Sequence, residues 1–171
     1  MKARLAVFHN LPSGGGIRAL SGMLRHITTH FETRAWFPAG SHPLTAPGAC
    51  SLREMPFPGG APVRGLRRAG GAAMLIRRLR AFEELCRAAA SEIDSFGPCR
   101  VLVDNSMYVA APPILGMLES SSVYFCFEYP RHIYEPELVS RTGRRLTEAL
   151  LAPLVRIEKR IDHESAVSAD S

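Results

Sequence analysis

Residues 4–20 read RLAVFHNLPSGGGIRAL, an apolar run that leads into a glycine turn and then into an amphipathic segment over residues 17–30. The apolar side chains of residues 4–9 predict a buried strand, and the helical spacing after the turn predicts a helix. Glycine residues in the turn allow the backbone to approach a bound group closely. The helix start directs free N–H groups at the same place, and its dipole favours a phosphate or carboxylate there. The stretch predicts a strand–turn–helix unit with an anion-binding turn.

Strand and helix patterns alternate along the rest of the chain. Strands are predicted over residues 4–9, 33–37, 100–103, 123–127 and 166–168. Helices are predicted over residues 17–30, within 63–95, and over 109–119 and 138–163. Residues 38–62 are rich in proline and glycine and predict a long loop with at most one short strand, near residues 51–55. The alternation predicts an α/β fold, a Rossmann-like three-layer sandwich with a mostly parallel sheet of about six or seven strands.

Length and composition indicate one globular domain over residues 1–171. The chain is 46% hydrophobic and 22% charged, which is ordinary for a globular protein. No apolar run approaches the ~20 residues needed to span a membrane, and the first strand pattern is too short for a signal peptide. A cytoplasmic location is expected. The four cysteines lack CxxC or zinc spacing and the histidines lack metal-ligand spacing, so reduced thiols and no bound metal are expected.

The chain has a formal net charge of +5. One segment of it is rich in positive charge. Arginines there interleave with apolar residues: Arg64, Arg67, Arg68, Arg77, Arg78, Arg80 and Arg87. The favoured interpretation is the outer face of a helix packed on the sheet. A surface that rests peripherally on an anionic membrane, on its inner face, is the second interpretation. Nucleic-acid binding is not expected, because the segment carries no recognised nucleic-acid motif.

Four stretches of the chain resemble, in order, the motifs of one known family. They are HNLPSGGGIRAL at 9–20, VLVDNS at 101–106, SVYFCFEYPR at 122–131 and DHESAVSADS at 162–171. The first is similar to the opening of the N-terminal domain of retaining glycosyltransferases of family 4, and the second to the fourth strand of that domain. The third resembles the family's "VYYCHEPPR" strand and loop, and the last resembles its "D…ADxVLANS" strand. The resemblance implies the N-terminal half of a GT-B fold.

The resemblance also implies an activity and its partners. A glycosyltransferase of the hexosyltransferase type moves a sugar from a nucleotide-diphosphate donor to an acceptor hydroxyl, here a sugar or lipid-linked acceptor. The nucleotide sugar is held mainly by a second, C-terminal domain, which is expected outside this chain. The chain alone is therefore expected to be poorly active or inactive. No cofactor and no catalytic metal ion are implied.

Candidate substrate-binding residues follow from the turn, from the strand ends and from the family motifs. They are His9, Asn10, Ser13, Gly14, Gly15, Gly16, Arg18, Asn105, Glu128 and Arg131. The resemblance puts the glycine turn beside the donor diphosphate and the acceptor. It also puts a histidine before the acidic residue of the third motif, where this chain has Phe127, which can neither donate a hydrogen bond nor take up a proton. Glu128 remains the candidate catalytic residue.

Structural alternatives stand beside these assignments. The glycine run is also compatible with a tight turn that binds nothing, and Arg18 with a solvated helix face. His9 is also compatible with a core histidine, and Glu128 with a surface ion pair to Arg131. For residues 104–106, capping of the next helix is favoured over contact with sugar hydroxyls.

Two other functions compete with sugar transfer. Phe127 favours a non-catalytic Rossmann-like binding module or partner subunit. An NAD-dependent oxidoreductase is disfavoured, because the three glycines are contiguous where the dinucleotide fingerprint spaces them as GxGxxG. The predicted second strand at residues 33–37 is also followed by Pro38, Ala39 and Gly40, with no acidic residue for a ribose.

Overall fold

The computed structural model describes residues 2–42, 44–45, 50–58, 71–106, 109–127, 134–135 and 145–169 of the chain. The described strands are β1 Ala3–Asn10, β2 Phe31–Pro38, β3 Cys50–Met55, β4 Arg100–Ser106 and β5 Ser122–Phe125. The described helices are α1 Gly15–Ile27, α2 Gly71–Ser95 and α3 Arg145–Ser168, with a 3₁₀ helix, η1, at Pro113–Gly116.

The five strands form one sheet in the order β3-β2-β1-β4-β5, and every neighbouring pair is parallel. This confirms the predicted α/β fold with a Rossmann-like parallel sheet, although the described residues contain five strands rather than six or seven. The chain steps outward from β1 to β3 on one side and then returns to place β4 on the other side of β1. The strand order therefore reverses between β1 and β4, which makes this the topological switch point of the sheet.

The central strand β1 is buried on both faces, as expected for a parallel sheet that is covered on two sides. Alternate side chains enter different cores. Ala6 and Phe8 pack with α2 and η1, whereas Leu5 and Val7 pack with α1. The apolar run of residues 5–8 is explained by this double burial.

Helix α2 covers one face of the sheet with a regular apolar stripe. Phe82, Leu85, Cys86, Ala89 and Ile93 are almost completely buried and recur at helical spacing. Arg77, Arg80 and Arg87 lie on the exposed side, and Arg87 pairs with Glu83 at 3.0 Å. Arg64, Arg67 and Arg68 of the basic segment lie outside the described residues.

The short strand β3 lies in the proline- and glycine-rich segment, close to the position expected at residues 51–55. It runs parallel to β2, with Thr33 opposite Cys50 and Pro38 opposite Met55. The Glu92 carboxylate of α2 accepts hydrogen bonds from Trp36 Nε1 at 3.1 Å and from Arg53 Nε and Nη2 at 3.0 and 2.9 Å. One carboxylate therefore holds β2, β3 and α2 together.

Two elements differ from the sequence-based expectation. Residues 166–168 continue α3 and do not form a strand, because Glu158, Asp162 and Ser165 are buried at helical spacing and keep one face of the helix packed to its end. Residues 109–119 form only the short helix η1. Proline is tolerated at the start of a helix but not inside it, so Pro112 and Pro113 allow a helix to begin only there, and η1 ends at Gly116. Among the described helices, none is long and apolar enough to cross a membrane.

Candidate functional site

The candidate site lies where β1 and β4 end side by side. Phe8 pairs with Val103, and Asn10 pairs with Ser106 after a register shift. Both strands run in the same direction, so their carboxyl ends and the glycine turn that follows β1 meet at one edge of the sheet. Ligands of open α/β sheets bind at this edge, at the point where the strand order reverses. The fold thus brings the first and second family-like stretches together.

The described residues leave the backbone of the glycine turn uncovered at Gly14 and Gly15. Gly14 caps α1 with an extended φ of 164°, a conformation that any residue adopts. A Cβ atom added at Gly14 or Gly15 would find nothing within 4 Å among the described residues. Neither the backbone nor the packing thus requires glycine at these two positions. What their missing side chains provide is open space over the start of the helix.

The N-terminus of α1 carries positive electrostatic potential that the described side chains leave unbalanced. Its cap makes no side-chain hydrogen bond in the described part of the chain, and its first turn contains no acidic residue. Arg18 lies in that turn and is exposed, as is Ser13 just before it. A cation at the positive end of a helix dipole is unfavourable unless an anion lies nearby. The arrangement is therefore suited to a phosphate or carboxylate.

Gly16 differs from its two neighbours in having side chains close by. A Cβ atom at Gly16 would lie 3.4 Å from Leu11 Cδ2 and 3.7 Å from Phe127 Cδ2. These are ordinary van der Waals distances, so Gly16 lies where the start of α1 faces Leu11, just after β1, and Phe127, just after β5. The Phe127 ring also contacts the Phe125 ring edge-on, with 4.6 Å between centroids. The position at which the resemblance places a histidine therefore lies against the glycine turn.

His9 is a neutral, fully buried side chain beneath this edge. Burial, and to a smaller degree the nearby His42, lowers the pKa of His9 to about 3. Its Nδ1 atom accepts a hydrogen bond from the Leu11 backbone N–H at 3.4 Å, so the ring proton resides on Nε2. Nε2 has no hydrogen-bond partner among the described residues. The ring stacks on Phe37 at 5.5 Å. His9 thus stabilises the backbone of the segment that leads from β1 into the glycine turn.

Asn10 ties the end of β1 to the chain that follows β2. Its Oδ1 atom accepts a hydrogen bond from the Ser41 hydroxyl at 2.7 Å, and both residues are buried. The His42 backbone N–H donates to the Leu11 carbonyl at 3.2 Å next to this contact. Asn10 is thus engaged in holding two loops together at the rim of the site.

Asp104, near the end of β4, is not the N-cap residue of the next described helix. Asp104 is completely buried, on the same side of the sheet as Leu102 by strand alternation. The next described helix, η1, is capped at Pro112 without a side-chain hydrogen bond. The N-cap residue of η1 is therefore Pro112 and not Asp104, and the capping interpretation for residues 105–106, whose side chains lie outside the description, stays a prediction. The Asn105 side chain, like Glu128 and Arg131, lies outside what the structure describes.

Helix α3 holds a buried carboxylate that was not among the site residues predicted from the sequence. Asp162 of α3 is 9% exposed, and it accepts hydrogen bonds from the Ala111 backbone N–H and the Tyr134 hydroxyl. Burial raises the pKa of Tyr124 in β5, and the Cys126 thiol and the charges of Asp162 and Asp104 add to the effect. One feature of the sequence could have indicated this buried polar face. Three polar residues recur at helical spacing within the amphipathic helix: Glu158, Asp162 and Ser165.

The four cysteines differ in how deeply they are buried. All four are free, and only Cys86 is buried, where desolvation raises the pKa of its thiol. Cys126 is exposed, and Cys50 and Cys99 are partly exposed. In the described ranges, no three His, Cys, Asp or Glu side chains are grouped so as to hold a metal ion.

Comparison with protein-family models, with curated proteins and with solved structures found no match for this chain. Its function is therefore inferred from the geometry of the site and from the resemblance of the sequence stretches.

Proposed function

We propose that this chain is the acceptor-side domain of a retaining glycosyltransferase, which moves a sugar from a nucleotide-diphosphate donor to an acceptor hydroxyl. The observation that carries the proposal is the open glycine turn. Among the described residues, Gly14 and Gly15 leave free space over the start of α1, although neither packing nor φ requires glycine there. Four family-like stretches in order support a sugar diphosphate as the group that fills this space.

The chemistry assigned to the turn is electrostatic. As the bond between the sugar and the diphosphate breaks, negative charge develops on the departing phosphate oxygen. The free N–H groups at the start of α1 and the Arg18 guanidinium stabilise this charge. His9 takes no part as an acid or base near neutral pH, because its pKa is about 3. It contributes by holding the backbone at Leu11.

A second candidate is a binding module without transfer activity. The observation that favours it is Phe127, whose ring packs near Gly16 where the resemblance expects a histidine. A phenyl ring offers no hydrogen bond to a sugar. Both candidates share the same anion-binding turn, and a donor-dependent transfer assay with the donor domain supplied separates them.

The test is a nuclear magnetic resonance titration of this chain with inorganic pyrophosphate and with a uridine-diphosphate sugar. We expect binding in the millimolar range, with shifts of the backbone amide signals of residues 14–18 for both probes. Absence of shifts at these residues would contradict the anion site. Sub-micromolar affinity for the nucleotide sugar would contradict the acceptor-side assignment, because the donor would then need no second domain.

Gly15→Ala and Gly22→Ala form a matched pair for this titration. A Cβ atom at either position meets nothing within 4 Å among the described residues, so both variants should fold. Gly22 lies inside α1, and alanine there should stabilise the protein by about 0.5–1 kcal/mol. We expect Gly15→Ala to weaken pyrophosphate binding, because its methyl group narrows the approach to the helix start, and Gly22→Ala to bind normally. Equal binding by both variants would contradict the proposed site.

A further inference from the structure

The outer strand β5 is covered on one face of the sheet and exposed on the other. Tyr124 packs against the core on the α2 face. Val123 and Phe125 lie on the α1 face, because Val123 is paired with Leu102, which belongs to the core under α1. Their exposed fractions are 62% and 39%. All-parallel sheets normally have both faces covered by helices, so the exposed face of β5 calls for a covering element.

Helix α1 covers the neighbouring strands but not the exposed side chains of β5. Among the described helices, α1 alone packs on this face, and its core holds side chains of β1, β2 and β4. Neighbouring strands are about 5 Å apart, so β5 lies ~10 Å from β1. Two helices pack side by side at about 8–10 Å. The face therefore has the width for one further helix beside α1, above β5.

The flank of α1 that faces β5 is apolar. Gly16 marks this flank, because a Cβ atom there would lie 3.7 Å from Phe127 Cδ2, just beyond β5. Met23 and Ile27 follow Gly16 at helical spacing and are only partly buried. The space between this flank and the exposed side chains Val123 and Phe125 is called the β5 groove below. Its two walls and its floor are apolar.

The amino end of the β5 groove carries an arginine without an acidic partner in the described part of the chain. Arg100 begins β4 and is paired with Leu5, so it lies on the α1 face, and it is exposed. Neither α1 nor β5 contains an acidic residue, and Asp104 on this face is completely buried. The described ion pairs involve other arginines: Arg4, Arg53, Arg87 and Arg160. The groove thus complements a ligand that is apolar and carries negative charge.

The shape of this face favours a protein helix over a membrane. A helix with its side chains is about 10–12 Å thick, so α1 stands above Val123 and Phe125 by roughly that height. A flat bilayer would meet α1 before it reached those two side chains. A helix of a partner protein has the same thickness as α1 and can lie beside it on β5.

We propose that the β5 groove binds an amphipathic helix of a partner protein, whose apolar residues cover Val123 and Phe125 and whose acidic residues lie near Arg100. Binding of this kind uses apolar anchors at helical spacing, and opposite charges fix the orientation. The inference goes beyond the proposed function, because neither the glycine turn nor sugar transfer enters it.

The test is a nuclear magnetic resonance titration of the full chain with a synthetic amphipathic peptide of about 20 residues. The peptide carries leucine at helical spacing and glutamate on both sides of the leucine stripe. A second peptide carries lysine in place of glutamate. We expect the glutamate peptide to bind with a dissociation constant of about 100 µM and to shift the amide signals of residues 102 and 123–125. The lysine peptide should bind at least about fivefold more weakly, because Arg100 repels it.

Two exposed valines form a matched pair of variants. Val123 in β5 and Val167 in α3 are 62% and 59% exposed, so Val123→Ser and Val167→Ser should both fold. We expect Val123→Ser to weaken binding of the glutamate peptide about fivefold, because an apolar contact is lost, and Val167→Ser to bind normally. Arg100→Glu should reverse the preference, so that the lysine peptide binds more tightly than the glutamate peptide.

Several outcomes would overturn the proposal. One is the absence of shifts at residues 123–125 with millimolar glutamate peptide, and another is an equal loss of affinity in Val123→Ser and Val167→Ser. A dimer in analytical ultracentrifugation that Val123→Ser dissociates would assign the groove to a second copy of the chain. Loss of binding to phosphatidylglycerol vesicles in Val123→Ser alone would assign it to lipid.

Discussion

A single histidine at the end of β1 illustrates how burial controls chemistry at the candidate site. His9 has the right residue type for acid–base catalysis and lies at a strand end. Its pKa of about 3, a result of desolvation, leaves it neutral at physiological pH. The same burial lets its Nδ1 atom accept from the Leu11 N–H without competition from water. His9 therefore acts through position and not through proton transfer.

This buried histidine predicts a pH dependence of stability. In the unfolded chain the His9 pKa returns to about 6.5, so below that pH the unfolded state binds a proton that the folded state does not. The contribution of His9 to stability is complete above pH ~6.5 and is lost as the pH falls towards about 3. We expect the free energy of unfolding in urea to fall less between pH 7 and pH 4.5 in His9→Gln than in the unaltered chain. Variant His26→Gln, at an exposed position of α1, is the control, and parallel slopes for all three proteins would contradict the prediction.

At the scale of elements, the contact between α2 and the outer strands depends on Glu92. This carboxylate receives donors from Trp36 of β2 and from Arg53 of β3. The hydrogen bond from Arg53 holds the pKa of Glu92 below its usual value, and the bond from Trp36 adds to this. Because β3 is an outer strand of the described sheet with four of its six residues exposed, this cluster is a main link between β3 and the core.

The cluster predicts that Glu92→Gln destabilises the outer part of the sheet. The pKa of Glu92 is lower in the folded chain than in the unfolded chain. Its contribution to the free energy of unfolding is therefore present above the unfolded-state pKa and is lost as the pH falls through the folded-state pKa. Its side chain is 38% exposed, so we expect a loss of about 1 kcal/mol or less at pH 7. The loss should vanish in strong acid, where Glu92 is protonated. Chemical unfolding at several pH values measures this loss. Glu83→Gln, which breaks the exposed ion pair of α2 with Arg87, is the control. A loss of equal size at all pH values would refute the assignment.

At the scale of the whole molecule, the excess of arginine bears on whether the protein binds an anionic membrane. Between residues 76 and 95, where the side chains of α2 are described, Arg77, Arg80 and Arg87 share the exposed side with Glu83 and Glu84. None of the large hydrophobic side chains that the structure shows exposed belongs to this part of α2. Membrane surface helices need an apolar face as well as charge. The mixed face is typical of a solvated helix.

This surface predicts weak and salt-dependent attraction to anionic lipid. We expect the chain to sediment with phosphatidylglycerol vesicles at low ionic strength and to be released at physiological salt, because screening removes a purely electrostatic attraction. Arg77→Glu with Arg80→Glu should abolish the low-salt binding, and Arg160→Glu, on α3, serves as the control. Retention of the unaltered chain at physiological salt would instead support a peripheral membrane role.

Much of the fold was predictable from local patterns. The strand–turn–helix unit at the N-terminus, the parallel sheet and the short strand in the proline-rich segment all follow from apolar periodicity and glycine or proline placement. These signals are carried by neighbouring residues, so they need no knowledge of the rest of the chain. The glycine turn was identified as the leading candidate site on the same basis.

Other features depend on contacts between residues far apart in the chain. The continuation of α3 through residues 166–168 follows from burial of its polar stripe, and a three-residue apolar pattern cannot distinguish helix from strand. The proximity of Phe127 to Gly16, the neutral state of His9 and the joining of two loops by Asp162 arise only when β1, β4, β5 and α3 pack together. Side-chain burial and hydrogen-bond partners set these properties, and both are defined by packing rather than by order along the chain.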